Sequence, residues 1–322
     1  MIITRTPLRI SLVGGGTDLP SFYKKSFGAV VSFAIDKYIF IGLNKKFDGN
    51  TRVSYSKTEL VDDPNDLEHE IIRESLMDFG LKGVEIVSVA DIPGSGTGLG
   101  SSSSLTVGLL RALQKYTGKK KFSNPHELAN YAYIIERLLC SKSVGRQDHL
   151  AAAYGNIHYF QFERNKVTAE LLLLNDGEKH ELEDRLTLLW TGKSHNADVI
   201  LKAQEENMKF GRWMAASRMR DIAVMMRDKL RNKDFSNIGT YMDMNWQIKR
   251  RLADGISNEW IDGIYEKAMN AGAEGGKILG AGGGGFFLFF GKVNLSSILE
   301  EATGLRHIPF KIDTEGSKVI YE

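Results

Sequence analysis

The sequence predicts an α+β fold in two segments, and three observations carry that prediction. Helix-like and strand-like stretches do not alternate regularly, as a doubly wound parallel sheet would require. From Ala197 to Leu252 the pattern is almost wholly helical, and strands return only after it. An acidic, polar stretch, Asn175 to Arg185, interrupts the apolar patterning and divides the chain into segments 1–175 and 176–322.

In chain order, a short strand precedes Gly14-Gly15-Gly16, and Ala29 to Leu43 and Thr51 to Tyr55 are strand-like. Asp66 to Phe79 is expected to be helical, and Val84 to Ala90 alternates like a half-buried strand. A glycine-serine loop, Pro93 to Ser104, then leads into a buried helix through Leu105 to Leu110. A second helix runs from about His126 to Leu139 with Ser123 or Asn124 as its cap, and a short one covers Asp148 to Ala153. Asn156 to Phe160 and Val167 to Leu174 return to strand.

The second segment opens with a strand, Leu186 to Trp190, followed by a long helical region, Ala197 to about Arg231. Helices near Phe235 to Leu252 and Glu259 to Ala271 follow. Lys277 to Leu279, Gly285 to Phe290, His307 to Ile312 and Lys318 to Tyr321 are the closing strands. The apolar, glycine-filled run Leu279 to Phe290 fits a buried strand pair.

With 322 residues, 42% hydrophobic and 25% charged, the chain has room for one large or two medium domains. A net charge of +2 gives no broad basic field for nucleic acid. The local surplus of Lys and Arg between Lys202 and Arg251 is expected to mark a solvated helix face. Cys140 is the sole cysteine, which excludes an intrachain disulfide, suits a reducing cytoplasm and points to packing rather than chemistry. No signal-peptide pattern opens the chain, and no apolar run reaches the ~20 residues of a membrane span.

The chemistry is concentrated in a few places. In Pro93-Gly94-Ser95-Gly96-Thr97-Gly98-Leu99-Gly100-Ser101-Ser102-Ser103-Ser104 a glycine loop meets a helix start, which makes an anion cradle: glycines let backbone approach a phosphate, and helix N–H groups face it. The serines are candidates for helix caps. The loop is neither a Walker A sequence nor a dinucleotide fingerprint: Gly275-Gly276-Lys277 continues with Ile278, and Lys119-Lys120-Lys121 stands where an acidic ribose ligand belongs. A nicotinamide oxidoreductase is excluded on that spacing.

In Pro7 to Asp18 an arginine and an aspartate bracket three glycines. Arg9 suits negative charge, and Asp18 is either an Asx-type turn residue or an acceptor for sugar hydroxyls. Glu136 and Asp148 together supply a carboxylate for Mg²⁺ and another near an acceptor hydroxyl, the pair that phosphoryl transfer needs. His149 and His195 have no metal-ligand spacing, which argues against zinc. The cluster Lys277 to Phe287 is either a close-packed hairpin, a floor for an acceptor sugar or a brace for the phosphate loop.

Three glycine motifs in this order, Pro7 to Asp18, Pro93 to Ser104 and Lys277 to Phe287, resemble the GHMP kinase superfamily over nearly the whole chain. Arg5 to Asp18, Gly145-Arg146-Gln147-Asp148-His149 and Glu315 to Tyr321 are most similar to the D-glycero-D-manno-heptose 7-phosphate kinases, and Gly15-Gly16-Thr17-Asp18 departs from the galactokinases. The resemblance implies an N-terminal domain like the second domain of ribosomal protein S5 and a ferredoxin-like C-terminal domain.

It also implies ATP and Mg²⁺ as cofactors and a sugar or sugar phosphate as acceptor, with neither nucleic acid nor membrane as partner. Ser102 and Glu136 would hold Mg²⁺, and Gly96, Gly98, Leu99, Gly100 and Ser101 to Ser104 would wrap the ATP phosphates. Asp148 would act as base, supported by Arg9. Asp18 would bind the sugar, with Gly15, Gly16, Thr17, Gly282 and Gly283 beside it. The implied reaction phosphorylates the anomeric hydroxyl of heptose 7-phosphate, serving nucleotide-activated heptose and surface polysaccharide synthesis. His195 stands where the resemblance implies an arginine. The alternatives are a kinase of another sugar, such as fucose or galactose, and a non-catalytic nucleotide or sugar sensor.

Overall fold

The computed structural model describes residues 1–92, 96–194, 197–209 and 211–322. Pro93, Gly94, Ser95 and His195, all singled out above, lie outside them. The strands are β1 (Ile2–Val13), β2 (Gly28–Lys45), β3 (Thr51–Ser54), β4 (Thr58–Val61), β5 (Val84–Ala90), β6 (Ile157–Phe162), β7 (Val167–Leu171), β8 (Leu186–Trp190), β9 (Gly275–Ile278), β10 (Phe286–Phe290), β11 (Arg306–His307) and β12 (Lys318–Tyr321). The helices are α1 (Pro20–Tyr23), α2 (Glu70–Phe79), α3 (Ser101–Thr117), α4 (Pro125–Ile134), α5 (Gln147–Tyr154), α6 (Asp176–Asp184), α7 (Ala197–Lys209), α8 (Trp213–Arg231), α9 (Ile238–Lys249), α10 (Glu259–Asn270) and α11 (Leu295–Thr303).

Two sheets result. The first runs β12-β1-β2-β5-β3-β4, with β6 also paired to β2 and β7 to β6. Strand β2 serves two neighbours in succession: its first third, Gly28 to Phe33, pairs with β6, and its last, Ile39 to Lys45, pairs with β5. The second sheet has the order β11-β8-β10-β9 with antiparallel neighbours. In sequence terms that order is fourth-first-third-second, the ferredoxin-like arrangement, and the α+β expectation holds. In β10 all five residues are buried, because Phe286, Leu288 and Phe290 enter one core cluster and Phe287 and Phe289 the other. That two-sided burial explains the unbroken apolar run.

Several boundaries differ from expectation. The polar stretch after Leu174 is not a plain linker: Asn175 caps α6 through a capping box with Glu178. The region from Ala197 to Arg231 is two helices, broken next to Gly211 at φ +114°. The expected helix from His126 to Leu139 is capped by Asn124, then widens into a π-helical turn over Ile135–Leu139. The expected strand from His307 to Ile312 shrinks to β11 plus an isolated bridge between Ile35 and Ile312. Strand β12 pairs with β1, so the end of the 176–322 segment is built into the first sheet. Ser317 fixes that return by donating its N–H to the Ala152 carbonyl and pairing its hydroxyl with Thr6.

Candidate active site

A cavity of about 740 Å³ lies where β1, the start of α3, the π turn and α5 face α7, α9 and the Gly280 turn. Arg9 on β1 organises it. Its guanidinium makes a bidentate pair with Asp148 at 2.7 and 2.8 Å and donates to the Gly98 carbonyl at 2.5 Å, while its backbone N–H donates to Leu99 O. One buried arginine therefore ties the first turn of α5 to the glycine loop. Two parallel N–H···O bonds fix the carboxylate plane as well as its position. Each Asp148 oxygen keeps lone-pair capacity for a further donor.

The loop enters α3 through Gly100, which serves as the N-cap in the left-handed region at φ +76°. No serine side chain caps the helix, contrary to expectation: Ser101 Oγ lies 3.3 Å from Thr97 Oγ1, and Ser104 donates to the Pro7 carbonyl at 2.8 Å. Gly96, Gly98, Gly100 and Ser101 to Ser103 line the cavity, and Ser102 is the exposed member of the first turn. Leu99 and Ser104 are fully buried off it and contribute backbone geometry rather than contact.

Glu136 sits in the π turn with no exposure, reached by Thr106 Oγ1 at 2.5 Å and by His149 Nε2 at 3.4 Å. Burial pushes its carboxyl up, but the neighbouring His149 and the Thr106 bond outweigh that and leave it below the ordinary glutamate value. Its Oε2 has no partner among the described residues and Glu136 lines the cavity. An orphaned carboxylate oxygen near an exposed serine fits a Mg²⁺ ion held by few protein ligands.

Asp18 is buried and held by three N–H groups, from Gly16, the Gln147 backbone and the Gln147 side chain, at 2.9 to 3.2 Å. Burial, then repulsion from Asp148, raises its pKa. It lines the cavity with Gly15 and Gly16, whereas Thr17 turns away to bond the Gly14 and Ala29 carbonyls. Thr17, Gly282 and Gly283, expected beside the sugar, do not line the cavity. A Cβ on Gly282 would fall 2.7 Å from Ile256 backbone, and Gly283 donates to Ile256 O, so both pack against the α9–α10 connection.

Among the three expectations for the last glycine cluster, the brace describes Gly280 and Gly285. A Cβ on Gly280 would sit 2.5 Å from Gly98 Cα, and one on Gly285 would sit 2.2 Å from the Thr97 carbonyl. Lys249, expected on a solvated face, is 3% exposed and lines the cavity, its ammonium donating to Gly280 O. Burial, then the charge of Arg9, lowers its pKa to about 8. Its position was legible from periodicity, since Ile238, Met242, Trp246 and Lys249 share one face of α9. Gln204 follows the same logic on α7, in register with Ile200 and Met208. Cys140 reaches the cavity edge, but burial pushes its thiol up to about 11, which leaves it unreactive.

The comparisons converge on one family. The model for the GHMP kinases N terminal domain matches residues 67–156, and that for GHMP kinases C terminal matches residues 226–303. The D-glycero-alpha-D-manno-heptose 7-phosphate kinase of Campylobacter jejuni subsp. jejuni serotype O:2 is 32% identical, over 98% of each chain. The bifunctional fucokinase/GDP-fucose pyrophosphorylase of Arabidopsis thaliana is 25% identical over 89% of this chain and 29% of that protein. A crystal structure of a D-glycero-D-manno-heptose 1-phosphate kinase from Bacteriodes thetaiotaomicron shares the fold, with TM-score 0.80 at 22% identity and full coverage of both chains. Among the described residues no helix is long and apolar enough to cross a membrane.

Proposed function

The chain belongs to the GHMP kinase family, and from that premise we propose that it transfers the γ-phosphoryl group of ATP to the anomeric hydroxyl of D-glycero-D-manno-heptose 7-phosphate. The observation that carries the reading is the junction at Arg9, which joins the carboxylate for the acceptor hydroxyl to the loop for the donor phosphates. The Campylobacter relative, matched over 98% of both chains, supports the choice of a heptose phosphate.

The acceptor oxygen attacks the γ-phosphorus, the bond to the bridging oxygen of ADP breaks, and the hydroxyl proton passes to Asp148. An anomeric hydroxyl is more acidic than an ordinary alcohol, so Asp148 chiefly orients it. The α3 N-terminus and the loop N–H groups receive the phosphates. Arg9 and Lys249 offset the charge that spreads over the transferring group. Ser102 and Glu136 would hold Mg²⁺, whose charge would neutralise the donor phosphates. Asp18 holds the acceptor beside them.

A screen of coupled ADP release across heptose 7-phosphate, heptose 1-phosphate, fucose and galactose tests the proposal. Turnover is expected with heptose 7-phosphate. Turnover of a free sugar alone would move the assignment to another sugar kinase. A screen with no ADP release for any acceptor would leave a nucleotide or sugar sensor in its place.

A further inference from the structure

We propose that Ser11, Gln147 and Gln204 form a hydroxyl-reading subsite that selects the polyol part of the acceptor; the proposal rests on the kinase reading above. All three line the cavity and are at least nine-tenths buried, at 3%, 8% and 1% exposure. Each also carries an oxygen that finds no partner among the described residues: Ser11 Oγ, Gln147 Oε1 and Gln204 Oε1. A buried acceptor without a donor is costly, so the three atoms call for a ligand.

The amide orientations are set by the protein. Gln204 Nε2 donates to the Ala281 carbonyl at 3.3 Å, and a half-turn of that amide would set two oxygens face to face. Gln147 Nε2 donates to Asp18 Oδ1 at 3.2 Å, which holds its Oε1 as the atom left over. The groups ring two glycines. A Cβ on Gly15 would lie 3.3 Å from Gln147 Nε2 and 3.4 Å from Ser11 Oγ, and one on Gly16 would lie 3.4 Å from Gln204 Oε1. The glycines leave open the space into which a ligand edge fits.

The chemistry of that edge follows from the atoms. Amide oxygens only accept, so the ligand must bring donors, and neighbouring hydroxyls of a polyol do so while still accepting from Ser11. Phosphate oxygens would meet lone pairs at both glutamines and are disfavoured there. The subsite therefore reads ring or side-chain hydroxyls of the acceptor, and its phosphate lies elsewhere in the cavity.

The test uses the full chain, heptose 7-phosphate and its monodeoxy analogues, with steady-state kinetics and calorimetric titration of the acceptor alone. Gln204→Leu is expected to raise acceptor KM and Kd about tenfold while the KM for ATP stays within about twofold. The analogue lacking the hydroxyl that meets Gln204 should lose the same factor on the wild type and nothing further on the variant. If Gln204→Leu does not fold, Ser11→Ala with the same deoxy series replaces it, with the same expectation. Unchanged acceptor affinity, or an equal loss for ATP and acceptor, overturns the inference. A wild-type protein inactive on every sugar and sugar phosphate instead sinks the kinase reading, so the two failures are distinguishable.

Discussion

Two glycine runs, Gly96 to Gly100 and Gly280 to Gly285, look alike in composition, but Gly100 in the first and Gly285 in the second do different work. At Gly100 a Cβ would meet Arg9 Cγ at 3.2 Å and Asp148 Oδ2 at 3.4 Å. The missing side chain there makes room for the Arg9–Asp148 pair. At Gly285 it would meet the Thr97 carbonyl oxygen at 2.2 Å, and at Gly280 the Gly98 Cα at 2.5 Å. Those glycines let one backbone lie against another, and Gly98 meets them from the first run, where a Cβ would fall 2.6 Å from the Leu279 carbonyl oxygen, so the second run holds the first in place. What a glycine run is for is thus decided by what occupies the missing Cβ position, which comes from another part of the chain.

The largest effect should come from the side that faces the chemistry. Asp148→Asn keeps the side-chain shape but loses a charged partner for Arg9 and the carboxylate proposed to accept the hydroxyl proton. Turnover is expected to fall by about 10³-fold or more, with ATP affinity retained because the loop and α3 are untouched. Steady-state kinetics beside nucleotide titration would check this. Near-wild-type turnover would mean that the Arg9–Asp148 pair is only a strut, and the two glycine runs would no longer differ in kind.

The bracing side is tested by Gly285→Ala. The residue has φ +86°, where an alanine costs about 1–2 kcal/mol, and the contact with Thr97 O adds overpacking of about 1–3 kcal/mol. A stability loss of about 3 kcal/mol in urea unfolding is expected, with a weaker grip on ATP as the loop shifts. Unchanged stability combined with lost acceptor binding would make the cluster a ligand surface instead.

The contrast also explains what sequence alone made legible. Pro7 to Asp18, the glycine loop, Glu136 and Asp148 were accessible because short motifs keep their chemistry in local order. The α+β class followed from patterning, and helix-cap chemistry narrowed the start of α4 to Ser123 or Asn124, of which Asn124 is the cap. Thr17, Leu99, Ser104, Gly282 and Gly283 lie off the cavity wall, because motif membership says nothing about which way a residue faces. Ser104, two positions beyond Ser102, points to Pro7 and away from the cavity. Lys249 and Gln204 lie outside the short motifs: their helices carry them from distant sequence into the cavity. The visible signal was a polar residue in register with an apolar stripe.

Lys249 is where the bracing run meets the chemistry, and it sharpens the comparison most finely. Its ammonium donates to Gly280 O and is buried near Arg9, Asp18 and Asp148. The folded pKa is lowered from 10.5 to about 8, so between roughly pH 8 and 10.5 the unfolded chain binds more protons and stability rises with pH. Below that window both states are protonated, and the buried charge costs on the order of 3 kcal/mol. Lys249→Met removes that cost. The unliganded variant should be more stable than wild type at pH 7 by on the order of 1–3 kcal/mol, and its stability should rise less steeply with pH, the remaining rise coming from the buried Lys277, whose pKa burial also lowers. Turnover should nevertheless fall by about 10²-fold, because a cation is lost beside the transferring phosphoryl group. The wild-type kcat/KM should itself decline as pH passes through about 8 and the ammonium of the free enzyme loses its proton. Urea unfolding at pH 7 and 9.5 with a kcat/KM profile over the same range would decide it. A Met variant as active as wild type would make Lys249 a packing residue of the brace, and the Gly280 turn would belong wholly to structure.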